Sequence, residues 1–346
     1  MSVRQIESPP YTIVGHVPRF SRRQTAFARS WDDRSPSHRA FPQPRSIAGI
    51  IAEGRDGYGR MDYAAQSAAW TVATTMGHLA YSWERLEGAR GTRGELAALP
   101  RHEPEDVAAF TAQVKEAAQL YGADAVGVCR LDRRWLYADE DVEPARRVPH
   151  DIDTAVVIAL GMDRAHVMRS PTARAAAATG NGYSRMAFTA ACVAELLRDL
   201  GWRALACGND TALSIPLAID AGLGELGRNG LLIHPKLGPC VRICKVLTDA
   251  PLVPDRLVEF GVRAECECCT LCAEHCEPRA VSRGEMSAEP VCPSNNRGVL
   301  KWPVNAELCL RFWGENGTNC ANCIKACPYT PPAPPVAEWA EGSEAR

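Results

Sequence analysis

The sequence predicts an α/β domain with a small cysteine-rich module appended to it, on three observations. Between about residues 105 and 262, short apolar runs rich in β-branched residues alternate with stretches of helical period. Downstream, cysteines crowd into residues 266–276 and 320–328 at regular spacings. At 346 residues the chain is long enough to bury a core and to hold more than one domain. The expected organisation is an N-terminal unit over 1–104 that shapes a pocket, the α/β domain over 105–262, the cysteine module over 263–330 and a tail over 331–346.

Residues 1–104 carry a proline-rich region around Ser35–Pro44 and alanine-rich helical stretches around Tyr63–Leu86. Tyr58, Trp70, Tyr81 and Trp83 are aromatics able either to line a pocket or to pack a core. PEDVAAFTAQVKEAAQLYG (104–122) has apolar residues at Val107, Phe110, Val114 and Ala117–Ala118, a helical period, with Pro104 suited to the first turn. ADAVGVCRL (123–131) and DTAVVIALGM (153–162) read as strands. YSRMAFTAACVAELLRDLG (183–201) sets Met186, Ala190, Val193 and Leu197 on one face, which predicts an amphipathic helix ended by Gly201. RALAC (203–207), NGLLIHP (229–235) and VRICKVLTD (241–249) predict three further strands.

The cysteine spacing carries chemistry. Residues 266–276 read CECCTLCAEHC, in which Cys266, Cys269, Cys272 and Cys276 make C-x2-C-x2-C-x3-C. A second run, CANCIKACP, sets Cys320, Cys323 and Cys327 before Pro328. Two intervening residues let a chain curl round three corners of a cubane, and in two-cluster ferredoxins the last cysteine of each run crosses to the other cluster. One [4Fe–4S] cluster then takes Cys266, Cys269, Cys272 and Cys327. The second takes Cys276, Cys320 and Cys323, completed by Cys309, with Cys292 in reserve. Two irregularities stand out: Glu277, not proline, follows Cys276, and Cys268 is a spare thiol beside Cys269. Zinc also takes C-x2-C, but two ferredoxin-spaced runs fit a cubane pair better. A disulfide framework belongs to short secreted chains. Cys129, Cys192 and Cys207 fall in apolar segments and read as core thiols.

The formal net charge of −2 gives no global basic field to attract nucleic acid. SRRQTAF (21–27) resembles a twin-arginine export signal, but the polar ARSWDDRSPSHRA follows where such a signal is apolar. The expected location is therefore the cytoplasm, where reduced thiols can accept iron. No stretch approaches the roughly 20 apolar residues of a membrane span. Phosphate-loop and strand-following dinucleotide signatures are lacking. Glycine-rich stretches at 207–210 (CGND) and 222–230 (GLGELGRNG) make either tight turns or a backbone cradle for a bulky polar ligand.

The order NGYSRM (181–186), GNDTALSIP (208–216), AGLGELGRNGLLI (221–233) and GPCVRICKVLTD (238–249), followed by the two cysteine runs, resembles the reductive dehalogenases, which are corrinoid and iron–sulfur enzymes. The likeness covers roughly 105–330, and PRFSRRQTAFARSWD (18–32) also resembles the start of mature family proteins. It implies a nitroreductase-like, corrinoid-binding α/β domain with a ferredoxin-like module of two [4Fe–4S] clusters. It implies a proton-donating tyrosine at Tyr183, an active-site asparagine at Asn209 and a basic partner at Arg242, with Lys245 and Arg185 as understudies for the basic role. The cobalamin would be base-off. No D-x-H-x-x-G supplies a histidine to the cobalt, and His166 in DRAHVM lacks the glycine. Backbone and small side chains of 207–216 and 222–234 would cradle the corrinoid: Gly208, Asn209, Ser214, Gly222, Gly224, Gly227, Gly230 and His234.

Reductive cleavage of a carbon–halogen bond needs low-potential electrons, a strong nucleophile and a proton. The resemblance implies electrons passing through the two clusters to cob(I)alamin, with Tyr183 as proton donor. A phenol of free pKa ~10 is a sluggish acid near neutrality, and Arg242 beside it would stabilise the tyrosinate. The implied partners are a small halogenated organic substrate and an electron donor, either a ferredoxin or flavodoxin or a membrane anchor subunit; a homodimer is possible and nucleic acid is not expected. Residues 1–104 and a Trp302–Trp313 loop would shape the pocket. Two alternatives stand beside this reading. An epoxyqueuosine reductase, also corrinoid plus two clusters but acting on tRNA, shares the GLGELGRNGLLI pattern, although no match to its catalytic aspartate segment is found. An electron carrier without its own substrate would leave a Tyr–Asn–Arg group unexplained.

Overall fold

The computed structural model describes residues 2–31, 45–80, 83, 96, 99–138 and 147–332. The proline-rich stretch 35–44, Tyr81 and the tail after 332 lie outside the described residues. At the centre are strands β1 (Ala125–Arg130), β2 (Thr154–Gly161), β3 (Ala204–Cys207) and β4 (Val241–Thr248). They form one four-stranded sheet in the order β1–β2–β4–β3, and every pairing is antiparallel. Helices and sheet are mixed as expected, but the alternation does not produce the parallel crossover sheet it usually signals. NGLLIHP adds no strand to this sheet. Leu232–Ile233 pairs only with Glu225–Leu226 in a small hairpin.

β2 is apolar on both faces because both are covered. Val156, Ile158 and Leu160 pack with Phe110, Val114, Val193 and Leu197 on one side; Ala155, Val157 and Ala159 pack with Trp135, Leu217 and Ile219 on the other. Each large side chain so buried stabilises the fold by about 1.5–3 kcal/mol. Helices α1 (Arg60–Ala69) and α2 (Thr71–Ala80) break at Trp70. Helix α3 (Val107–Leu120) starts one turn later than Pro104 suggests, because Asp106 caps it by accepting from the N–H groups of Ala108 and Ala109.

Helix α4 runs from Ala173 to Asp199, so it begins well before Tyr183. Thr172 caps it, and Gly180 and Gly182 lie inside it, each disfavoured in a helix by ~1 kcal/mol relative to alanine. Both make room for neighbours. A Cβ on Gly180 would meet the Trp70 ring at 2.6 Å, and one on Gly182 would meet Arg242 Cγ at 2.7 Å. Helix α5 (Ser214–Asp220) follows β3 across a short loop.

The N-terminal segment is woven into the rest of the chain. Arg4–Ile6 pairs with Leu257–Glu259, and Thr12–Ile13 with Val299–Leu300. The SRRQTAF segment forms a 3-10 turn capped by Ser21 and leads into a helix, Ala26–Trp31. Arg29 pairs there with Glu307, and Phe27 meets Trp313 at 5.6 Å between ring centroids. Trp313 is on a helix, Ala306–Asn316, capped by Asn305, so the expected Trp302–Trp313 loop is for the most part helical. Among the described residues, no helix is long and apolar enough to cross a membrane.

Candidate active site and cysteine quartets

The three residues named for proton transfer come together from three elements. Tyr183 projects from α4, Asn209 from the loop after β3, and Arg242 from the start of β4. Asn209 Nδ2 donates to Tyr183 Oη at 2.9 Å. The Arg242 guanidinium lies over the Tyr183 ring, 5.3 Å from its centroid. Trp70 stacks on the same ring at 4.7 Å with an interplanar angle of 22°. Trp70 is therefore a site aromatic, whereas Tyr58 is a core residue whose hydroxyl meets Pro171 O and Asn316 Oδ1 at 2.7 Å, and Trp83 packs against the main core.

Lys245 and Arg185 do not take the basic role. Arg185 donates to Gly161 O at 2.8 Å, Gly122 O at 2.9 Å and Asp124 at 3.0 Å, away from the phenol. Lys245, on β4, is fully buried, and burial pushes its ammonium below the ordinary lysine range. It donates to Gly208 O, to Ala212 O at 2.8 Å and to Ser214 Oγ at 2.9 Å. Ser214 in turn donates to Asn209 Oδ1 at 3.1 Å. A directed chain of donors thus runs from a buried cation through Ser214 and Asn209 to Tyr183. It fixes which way the Asn209 amide faces and stabilises negative charge on the phenol oxygen.

The glycine-rich 222–230 stretch is explained by packing within the chain. A Cβ on Gly222 would lie 2.3 Å from Arg256 O, and one on Gly224 2.1 Å from Ile233 O. Gly227 and Gly230 are similarly closed by Ile233 and Val304. The tight-turn reading accounts for these four, and the cradle reading is not needed for them. His234 is buried, its Nδ1 accepts the N–H groups of Lys236 and Leu237, and burial first of all lowers its pKa, so it serves as a turn acceptor. Gly208, Asn209 and Ser214 remain at the tyrosine. Two buried polar atoms beside them, Arg242 Nε and Thr211 Oγ1, lack a protein partner and suit a polar ligand.

The cysteines sort into two groups. Cys266, Cys269, Cys272 and Cys327 line one cavity, together with Arg228, Pro328 and Tyr329. Burial and then the charges of Cys266, Cys327 and Cys269 push the Cys272 thiol up to about 12. In the other group, burial and then Cys320 and Cys276 push Cys309 up to about 12, and Cys323 is raised by burial and then by Cys309, Cys320, Cys272 of the first group and Cys276. Thiols so crowded cannot ionise together without a cationic partner, which is the behaviour expected of a donor set built for iron. Among the described residues no three His, Cys, Asp or Glu side chains are placed to hold a single metal ion. Each run contains a one-turn helix, Leu271–Glu274 or Asn322–Lys325, so repeated spacing yields repeated structure.

Cys268 is exposed and donates to Ala264 O and Glu265 O, whereas Cys269 lines the cavity. Cys292 instead meets Asn295 Oδ1 at 3.4 Å. Cys309→Ser is accordingly expected to reduce iron uptake, whereas Cys292→Ser and Cys268→Ser leave it unchanged; iron analysis after anaerobic reconstitution checks this. Cys129 and Cys207 are buried, as core thiols should be, whereas Cys192, expected with them, is only half-buried. Sequence reasoning missed Arg228, a buried charge inside the glycine-rich 222–230 stretch. It also missed Gly180 and Gly182, whose place inside a helix no local signal reveals.

The overall architecture matches solved reductive dehalogenases. A structure described as suggesting a mechanism for B12-dependent dehalogenation superposes with a TM-score of 0.70 at 22% identity, over 95% of this chain and 44% of that one. No family model matches the chain. Among curated proteins it is 32% identical over 314 residues to the tetrachloroethene reductive dehalogenase of Sulfurospirillum multivorans, covering 80% of this chain and 62% of that protein. It is 36% identical over 250 residues to that of Desulfitobacterium hafniense, covering 60% of this chain and 45% of that protein. In sequence and in architecture the chain is similar to reductive dehalogenases. It spans less than two thirds of the length of these relatives.

Proposed function

We propose that the chain catalyses reductive removal of halide from a small organic halide, with Tyr183 as proton donor. The observation that carries this reading is the Asn209 Nδ2 to Tyr183 Oη hydrogen bond beneath Trp70 and beside Arg242. Because the phenol oxygen accepts from Asn209, its own proton is left free to point away, toward a substrate. Arg242 and the Lys245–Ser214–Asn209 chain then stabilise the oxygen as that proton leaves. Trp70 covers one face of the phenol ring and fixes its orientation.

The reading extends to cofactors. The sheet domain corresponds to a nitroreductase-like corrinoid domain, with Gly208, Asn209, Ser214, Thr211 and Arg242 facing a base-off corrinoid, and residues 263–330 to a ferredoxin-like module. Cys266, Cys269, Cys272 and Cys327 would hold one [4Fe–4S] cluster, and Cys276, Cys309, Cys320 and Cys323 the other. When bound, the clusters supply single electrons and the corrinoid a reduced, nucleophilic cobalt. Electrons would come from a low-potential donor protein.

Anaerobic reconstitution with iron, sulfide and cobalamin, followed by halide release from chlorinated and brominated test compounds, tests the proposal. Release that depends on all three additions supports it; a fully loaded chain that releases no halide from any of them contradicts it. Asn209→Ala removes the donor to Tyr183 and is expected to cost about 1 kcal/mol of transition-state stabilisation, roughly five- to tenfold in kcat per bound corrinoid. Steady-state kinetics on the loaded variant checks this.

A further inference from the structure

Arg228 takes no part in the chemistry above. It is 3% exposed. Its backbone N–H donates to Cys266 Sγ at 3.4 Å, and the residue lines the cavity edged by Cys266, Cys269, Cys272 and Cys327. Its guanidinium donates to Cys266 O at 3.0 and 2.7 Å, to Ser282 O at 3.0 Å and to Gly284 O at 3.1 Å, and it lies 4.7 Å from the Trp302 ring centroid. Every one of these partners is neutral. Two other buried arginines show what is missing: Arg174 meets Asp62 at 2.7 Å and Arg198 meets Glu195 at 3.2 Å. Among the described residues, no carboxylate pairs with Arg228. A buried cation without a counter-ion is costly, and chains retain one where a ligand brings the opposite charge.

We propose that the iron–sulfur cluster of the Cys266 quartet is the counter-ion of Arg228, and that Arg228 raises the reduction potential of that cluster. The inference rests on the two-cluster reading. Reduction transfers one electron from an external low-potential donor to the cluster, and takes the four-thiolate complex from dianion to trianion. A fixed positive charge alongside stabilises the trianion more than the dianion. The carbonyls and Trp302 hold the guanidinium in place, and burial keeps the attraction unscreened.

Redox titration of the reconstituted full chain, followed by EPR, tests this with Arg228→Gln and Arg228→Lys beside the wild type. In the glutamine variant one of the two midpoints is expected to fall by about 59 mV or more, tenfold in the one-electron equilibrium, while the other stays. The lysine variant should keep a midpoint close to wild type. A glutamine variant with both clusters loaded and both midpoints unmoved overturns the proposal. If that variant fails to load the first cluster, the lysine variant decides. A loaded cluster at the wild-type midpoint supports the proposal; a lowered midpoint, or failure to load, makes Arg228 a mere tie between chain segments and overturns it. A wild-type chain that takes up no iron is a separate failure, that of the two-cluster reading.

Discussion

Tyr183→Phe is expected to keep iron and corrinoid at wild-type levels and to lose about 10²–10⁴-fold of the turnover, the usual contribution of a positioned general acid. The substitution removes one oxygen and leaves the ring stacked on Trp70 and under Arg242. Folding should therefore be nearly untouched, and the loss should fall on kcat, not on cofactor binding. Asn209 would be left with an unused amide donor, so Asn209→Ala added to Tyr183→Phe should do little further harm. Halide release by the single and double variants measures this. A phenylalanine variant with full turnover removes Tyr183 from the chemistry.

Lys245→Met is the second large effect. It strips the donor from Gly208 O, Ala212 O and Ser214 Oγ inside a fully buried slot. Leaving several buried acceptors unsatisfied outweighs the gain from removing a desolvated charge, for a net loss of about 3 kcal/mol. Because the same contacts fix Ser214 and Asn209, turnover should also fall in whatever fraction still folds. Urea unfolding of the cofactor-free chain measures the first effect. Burial holds the folded ammonium below the ordinary lysine range, so the unfolded chain binds that proton more tightly. Between the folded pKa and about 10.4, the stability of wild type relative to the methionine variant should then rise with pH. A variant as stable and as active as wild type would make the Lys245–Ser214–Asn209 chain irrelevant.

Strands and cysteine groups were legible because each rests on a local period. β1, β2, β3 and β4 are short apolar runs, and the quartets follow from C-x2-C spacing and the crossing of the last cysteine. Sheet direction was not legible, since an antiparallel order depends on where Val241–Thr248 inserts between distant partners. The early start of α4 was hidden for a related reason: the need for Gly180 and Gly182 is set by Trp70 and Arg242, which are distant in the sequence. Tyr183, Asn209 and Arg242 were reached through resemblance, since each residue alone has a bland reading. Lys245 looked like a reserve base, and only its three acceptors show it to be a support for the Asn209 loop. Arg228 left no trace in the motifs because its meaning lies in lacking a carboxylate.

The most direct test is a metal count on the anaerobically reconstituted, gel-filtered chain, read for iron and cobalt together. Two cysteine quartets serving a corrinoid seated at Tyr183 predict about eight irons with one cobalt per chain. Eight irons with no cobalt retained, whichever corrinoid is supplied, would contradict that account.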